Sequence, residues 1–409
     1  MRRLCSWLLP LSVLGCAGGQ TAGAAPSADR QKVVNLVPFD FSTCSPPKLD
    51  LGKAANEYTP QAVFRASRPA IMECLSDSRN LKSGGPTRGT ASIVIDQSGS
   101  TVKVSGDGVP PATQACIEKA IRAGLGTLSV RPGGKPVNFE GPFEQDPATA
   151  VRFGVNESSD AQGAIRLALP QMCSCFEPAR TQAPAPITGN IQIFRDPAKA
   201  RSADGGTVPP TGVIAALQGN DPTGGPVASC LNPQIQALPL KTTSEQLTFP
   251  AQLLLLNGNA TAQMASSVVP QVQFAQLDAV RQTREAEAYA ALARRQQVAD
   301  VYDDMVQKYQ AGIKSKDVKQ RKAANAMVKD LTTGCAALVK ADDEFTKALE
   351  LEQAVEQRAL GLAQSLKAKD PSWGDAEKAA TAAVAETQKQ IDSAKQLRVA
   401  NDKACPKMK

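Results

Sequence analysis

No histidine occurs anywhere in the 409 residues. That absence removes Ser-His-Asp triads, Cys-His dyads, imidazole general bases and histidine-containing zinc sites together. Aromatic residues make up only 4% of the chain, which leaves little material for stacking under bases or sugars. A phosphate-cradling Walker loop is missing, and so is a Gly-x-Ser-x-Gly elbow. The one Ser-x-x-Lys, Ser45-Pro46-Pro47-Lys48, cannot serve as a nucleophile pair. Pro47 disfavours helical geometry at Pro46, so Lys48 does not return to Ser45. Beyond the amino terminus there is no long apolar run; Leu253 to Leu256 has the size of a buried strand. The pairs Gly84-Gly85, Gly205-Gly206 and Gly224-Gly225 read as turns. No catalytic residue, metal site or cofactor is expected.

What is present begins with charge. The formal net charge is +7, with acids and bases interleaved along the carboxy-terminal third and no long basic tract. This reads as a mixed solvated surface, and no nucleic-acid partner is expected. The length allows two to four domains.

The first residues carry an address. Arg2 and Arg3 precede a short apolar run from Leu4 to Leu14, which closes in Val13-Leu14-Gly15-Cys16. A basic start, a short apolar core and a small residue before a break form an export-signal pattern. With Cys at the break, it resembles the lipobox of bacterial lipoproteins. The resemblance implies a signal peptide over residues 1–15, lipid on Cys16, and an anchored mature chain. Ala17 stands where the inner-membrane retention signal usually has Asp, which points to the outer membrane. Residues 16–50 are then a lipidated tether and amino-terminal segment, the tether being rich in Gly, Ala, Thr and Gln.

An internal repeat follows. Residues 63–75 laid over residues 164–176 place Arg65 on Arg166, Pro69 on Pro170, and Cys74-Leu75 on Cys175-Phe176. In the first copy, Ile93 and Ile95 alternate with polar neighbours. Asp96-Gln97-Ser98-Gly99 supplies a turn, and Val102 and Val104 return as a hairpin. A helix carrying Cys116, Ile117 and Ile121 comes next, and a strand from Pro136 to Phe139 closes the copy. In the second, Asn190 to Phe194 and Val213 to Leu217 form the hairpin, Pro226 to Leu238 the helix with Cys230, and Leu247 to Leu256 the closing strand. Each copy reads helix, strand, strand, helix, strand, with one Cys on each helix.

These residues resemble the TonB-like carboxy-terminal domain, in the cysteine-paired variety found in envelope and gliding-motility proteins. The matching positions are Cys74, Gly89, Asp96, Gly99, Val102, Cys116, Ile117, Ile121, Arg122, Gly133, Gly134, Val137, Pro142 and Phe143. The chain departs from that pattern after the second helix, where Leu125-Gly126-Thr127-Leu128 lacks the usual aromatic. The resemblance implies two modules, residues 51–147 and 148–260, in which the two helix cysteines pair. Carried through the repeat, it proposes Cys74–Cys116 and Cys175–Cys230.

Cys5 leaves with the signal and Cys16 takes lipid, so eight cysteines remain, an even number for an oxidising compartment. A further pair follows from helix geometry. Cys335 lies 36 residues before Pro371 and Cys405 lies 34 after it. An antiparallel helical hairpin folded at Asp370-Pro371-Ser372 brings them level to within about one turn. Cys44 and Cys173 are left over, and elimination would join them. Metal binding by Cys173-Ser174-Cys175 is the alternative, opposed by the one-residue spacer and the missing histidine.

From about Val268 the composition turns to Ala, Gln, Glu, Lys and Leu, with apolar residues at helical spacing. Residues 261–409 read as an antiparallel three-helix bundle, with helices near 268–311, 317–368 and 373–404. Asp303-Asp304 and Asp342-Asp343-Glu344 read as solvated acids, and Trp373 as packing for the hairpin turn.

The fold class expected is therefore α+β: two α-β-β-α-β modules followed by an all-α bundle. The function expected is a periplasmic scaffold on the outer membrane, held there by lipid and binding envelope proteins by β-strand addition or helical docking. The resemblance adds a link to motility or transport. The alternative is a lipoprotein of the surface or periplasm that binds a small molecule or glycan. An enzyme using carboxylates or lysine ranks last.

Overall fold

A computed structural model describes residues 37–77, 87–145, 150–199, 209–260 and 268–405; the expected signal, Cys16 and tether lie outside them. The fold is mixed α+β, with small antiparallel sheets and a helical carboxy-terminal region.

The chain enters with β1 (Phe39–Asp40) and a 3-10 turn over Phe41–Cys44. Helices α1 (Thr59–Ala66) and α2 (Arg68–Leu75) follow. One continuous helix was the expectation here. The break falls at Ser67, directly before Arg68-Pro69, because proline has no amide proton for the helical ladder and crowds the preceding turn. Strands β2 (Thr87–Asp96) and β3 (Gly99–Ser105) make the hairpin. Its turn is held by the Ser98 amide donating to Asp96 Oδ1 at 2.7 Å, and Gly99 takes a φ of 127° that a side chain would resist. Helix α3 (Pro111–Leu125) then leads to β4 (Val137–Gln145), giving the sheet order β3-β2-β4.

Unit two repeats the plan with α4 (Glu157–Ala168), β5 (Ile187–Phe194), β6 (Val213–Gln218), α5 (Gly224–Gln236) and β7 (Gln246–Leu253), in the order β6-β5-β7. Two expectations are corrected here. Cys175 sits not on an α-helix but in a 3-10 segment, Cys173–Ala179, placed after Pro170 and itself containing Pro178. Gly224-Gly225 opens α5 instead of making a turn, because the Asp221 carboxylate accepts from the amides of Thr223 and Gly224 at 2.9 and 2.8 Å and so acts as a cap.

The closing strand of the first unit also runs six residues past Phe139, through Gly141-Pro142. Both sheets tolerate a proline there for the same reason. Pro142 lies opposite Thr90 and Pro250 opposite Asn190, each on an edge strand, where the missing amide costs the ladder nothing. Beside them Gly89 and Gly189 occupy matching positions. A Cβ on Gly189 would come within 2.1 Å of the Ala216 carbonyl oxygen, and one on Gly89 within 2.6 Å of that of Ser105.

Each unit has its own core. In the first, Ile93, Ile95, Ile117, Ile121 and Leu125 meet Phe64 and Val63. In the second, Ile187, Ile191, Ile193 and Leu231 meet Phe176. The amino-terminal segment belongs to the second core: Phe39 and Phe41 are buried in it, β1 pairs in parallel with β8 (Leu255–Leu256), and Cys44 is bonded to Cys173.

Helix α6 (Pro270–Lys314) is 45 residues long, about 68 Å at 1.5 Å per residue. Its first turns bury Val272 and Ala279 against Leu254 and Leu256 of the second unit, and Ala290 further along enters the core of the first. Helices α7 (Val318–Ala326) and α8 (Val328–Lys367) follow, then α9 (Gly374–Ala404). A single middle helix was expected; the break at Met327 has no side-chain cause that the structure shows. Ala288, Leu349, Ile391 and Ala394 bring α6, α8 and α9 into one cluster. Trp373, between α8 and α9, stacks on Phe274 of α6 with centroids 5.3 Å apart.

Four disulfides join Cys44–Cys173, Cys74–Cys116, Cys175–Cys230 and Cys335–Cys405. The last closes a span of 70 residues between α8 and the end of α9. Replacing both its cysteines with serine is expected to cost about 2–4 kcal/mol. Hydrogen exchange should then speed up over 328–340 and 395–405 while β2 and β5 stay protected. Uniform loss of protection through both sheets would refute this local role.

Candidate functional site

The repeat carries more than disulfides. It places an arginine at the same point of each unit, Arg65 and Arg166, both 8% exposed. Each leaves the first helix of its unit and meets an acid on a neighbouring body, Glu285 buried and Glu73 partly buried. Arg65 Nε donates to Glu285 Oε1 on α6 at 2.6 Å, with its guanidinium 3.9 Å from the Tyr289 ring centroid. Arg166 grips Glu73 of the first unit in a two-pronged pair, Nη2 to Oε1 at 2.6 Å and Nη1 to Oε2 at 3.0 Å. It also donates to the carbonyls of Val37 and Pro38, and lies over the Phe39 ring. One arginine therefore docks unit one on α6, and its counterpart docks unit two on unit one. The planar guanidinium suits this duty, since it offers several donors in a fixed fork.

Around Glu285 the junction is densely ionic. Arg68 Nη1 lies 3.3 Å and Arg281 Nη1 3.4 Å from its Oε2, and Arg281 also holds Asp278 at 2.9 Å. Burial alone would push the Glu285 carboxyl up, but Arg65, Arg68 and Arg281 outweigh it and hold it below the ordinary range. Two more buried glutamates on α8 face the same space. Burial, reinforced by Glu285 and Glu356, pushes Glu352 up to about 8. Burial raises Glu356 as well, against a hydrogen bond from Thr387.

Glu352 therefore keeps a proton in the folded chain at pH values where the unfolded chain has lost it. Folded protein binds more protons, so stability falls as pH rises from the ordinary value of 4.5 to about 8. The slope reaches about 1.4 kcal/mol per pH unit at most. Denaturation across that range should show the decline, and Glu352→Gln should make it shallower, Glu356 and Asp40, also raised by burial, keeping their share. Native and variant profiles of equal slope would contradict this placement of the proton.

A second acid departs from expectation. Asp342 is buried, not solvated: it holds Arg295 of α6 at 2.8 Å and accepts from Asn401 of α9 at 2.7 Å. Adjacent helical residues point about 100° apart, so one of three consecutive acids can face the interhelical seam while Asp343 and Glu344 stay exposed.

The sheet edges bear on strand addition. In unit one, the Val104 amide donates to Glu118 Oε1 at 3.1 Å and Arg122 Nη2 donates to the Val102 carbonyl at 3.1 Å. In unit two, Asn232 exchanges bonds with the backbone of Leu217 at 2.8 and 3.1 Å, and Gln236 donates to the Ala215 carbonyl at 3.3 Å. The residues two and six beyond the helix cysteine thus cover β3 and β6 in the same way. On the opposite edges Pro142 and Pro250 remove a donor. The stretches before those prolines, Val137–Gly141 and Gln246–Phe249, pair with β2 and β5 along one side only. The sequence held this signal in the shared spacing from Cys116 and Cys230, but only the fold shows that it points at a sheet edge.

A cleft of about 320 Å³ lies beside Cys44–Cys173, lined by Ser42, Glu177, Arg180, Asn257 and Asn259. Its Phe41 and Phe176 are buried in the core, with rings stacked 5.1 Å apart, and give no free face for a sugar. Among the described residues no group of three or more His, Cys, Asp or Glu is placed to hold a metal. Among them, too, no helix is long and apolar enough to cross a membrane. No protein family, curated protein or solved structure matches the chain.

Proposed function

We propose that this chain is a lipoprotein scaffold, held on the periplasmic side of the outer membrane through Cys16. In this reading two TonB-like modules are braced on a three-helix bundle and present surfaces to envelope proteins. One observation carries it: repeat-equivalent arginines, Arg65 and Arg166, both buried, pair each module with an acid of its neighbour. Such junctions fix the relative position of surfaces, which is what a scaffold supplies. A motility or transport complex is the setting that the resemblance suggests.

Strand addition belongs on β4 or β7, because β3 and β6 are covered by side chains. Photo-crosslinking residues at Asn138 or Thr248 should trap one discrete envelope protein in intact cells, and one at Thr101 on β3 should not. Adducts from Thr101 alone, or none from β4, β7 or the exposed faces of α8 and α9, would overturn the reading. The anchor is tested separately: incorporation of labelled palmitate should vanish in Cys16→Ser.

A further inference from the structure

The far end of the helical region is a basic tip. Between residues 308 and 329, where α6 ends and α8 begins, lie Lys308, Lys314, Lys316, Lys319, Arg321, Lys322 and Lys329, against a single acid, Asp317. All seven cations are exposed. Lys308 pairs with Asp304 at 2.6 Å, and Arg321 caps the carbonyls of Ser315 and Lys316. The other five make no ion pair among the described residues. The carboxy-terminal third is therefore not evenly mixed. The hairpin from α6 through α7 gathers at one end a charge close to that of the whole chain.

The same tip shows aliphatic side chains between its lysines. Val318 is 68% exposed and Ile313 38% exposed. Close packing keeps them outward: a Cβ on Gly312 would come within 2.7 Å of the buried Ala324 Cβ, so α7 lies tight against α6 along that line. Lys319 and Lys322 are then on the face turned away from Ala324, and Val318 flanks them. Tyr309 is half-buried and offers no open ring for a base.

We infer that this tip docks on an anionic phospholipid surface. The cations would meet headgroup phosphates, and Val318 and Ile313 would enter the boundary beneath them, the combination that interfacial helices use. Lysine suits diffuse attraction to a charged surface, whereas directed recognition of single phosphates favours the arginine fork. The tip lies far from the start of the described chain. Asp40, near the point where the described chain begins, accepts from Gly258, which packs on α6 at Thr283. Lys314 lies 31 residues further along that helix, about 47 Å away.

Flotation of the full chain with vesicles of phosphatidylcholine mixed with phosphatidylglycerol, against phosphatidylcholine alone, tests this. The expected result is stronger association with the anionic vesicles, lost at high salt. The difference should fall by about tenfold in Lys319→Glu/Lys322→Glu. Val318→Asn/Ile313→Asn should also weaken it. A signal or anchor contributes equally to every variant, so only the tip moves the difference. Three results would overturn the inference: equal binding to both vesicle types, no effect of the charge reversal, or no effect of the aliphatic pair. The last, combined with binding to DNA or polyphosphate, would mark the tip as a general polyanion site. Unchanged circular dichroism keeps the comparison within folded protein.

Discussion

Glu285→Ala is expected to lower the free energy of unfolding by about 3–5 kcal/mol, because three guanidiniums converge on this buried carboxylate and two of them lose their ion pair with it. Arg65, Arg68 and Arg281 all converge on it, at 2.6, 3.3 and 3.4 Å. Without it Arg281 keeps Asp278, but Arg65 and Arg68 keep no ion pair among the described residues and face each other as like charges. Glu285→Gln retains the shape and an acceptor but not the charge, so an intermediate loss is expected. Glu287, two residues on, pairs with Arg284 nearer the surface at 2.6 Å. Its alanine variant should change stability by no more than about 0.5–1 kcal/mol. Urea denaturation measures all three. Hydrogen exchange should locate the damage in α1 and the middle of α6, where module one would undock. A Glu285→Ala loss no larger than that of Glu287→Ala would show that the junction contributes little.

Arg166→Ala should be comparably costly, about 3–5 kcal/mol, through the other junction. It removes a two-pronged pair with Glu73 and leaves the Val37 and Pro38 carbonyls without their donor. Arg166→Lys is expected to recover little of this, since a single ammonium cannot bridge both carboxylate oxygens and two carbonyls from that position. The readout is local as well as global. Limited proteolysis should open the chain near residues 37–40 and at the α2–α4 contact, while Cys44–Cys173 keeps the segment attached. Full recovery by lysine would mean that charge alone, not the fork, holds the modules together.

Much of the chemistry was legible along the chain. The duplicated spacing of Arg65, Pro69 and Cys74 against Arg166, Pro170 and Cys175 announces two related units. The structure pairs the cysteines as the repeat, helix geometry and elimination proposed. Helical spacing after Val268 marked long helices, since an apolar stripe at 3.6-residue period has few other solutions. Less legible were features set by neighbours distant in sequence. The first closing strand was expected to stop at Phe139, short of Pro142, while the second already ran through Pro250; only the sheet order shows both prolines on edges, where a strand continues through them. Asp342 resembled its exposed neighbours until the third helix supplied Asn401. The basic tip was hidden by averaging charge over the whole helical third, although a window of about two turns either side of α7 contains it.

Local chemistry along the chain thus determined the element types, the repeat, the cysteine parity and the lack of histidine-based catalysis, because each depends on residue identity and short-range spacing. Only the tertiary structure decided which arginine meets which acid, which glutamate keeps its proton, which sheet edges are covered and which lysines stand together. Those outcomes depend on burial and on partners far apart in the chain, 220 residues in the case of Arg65 and Glu285. The energy of a charge is set by what surrounds it in space, not by its place in the chain.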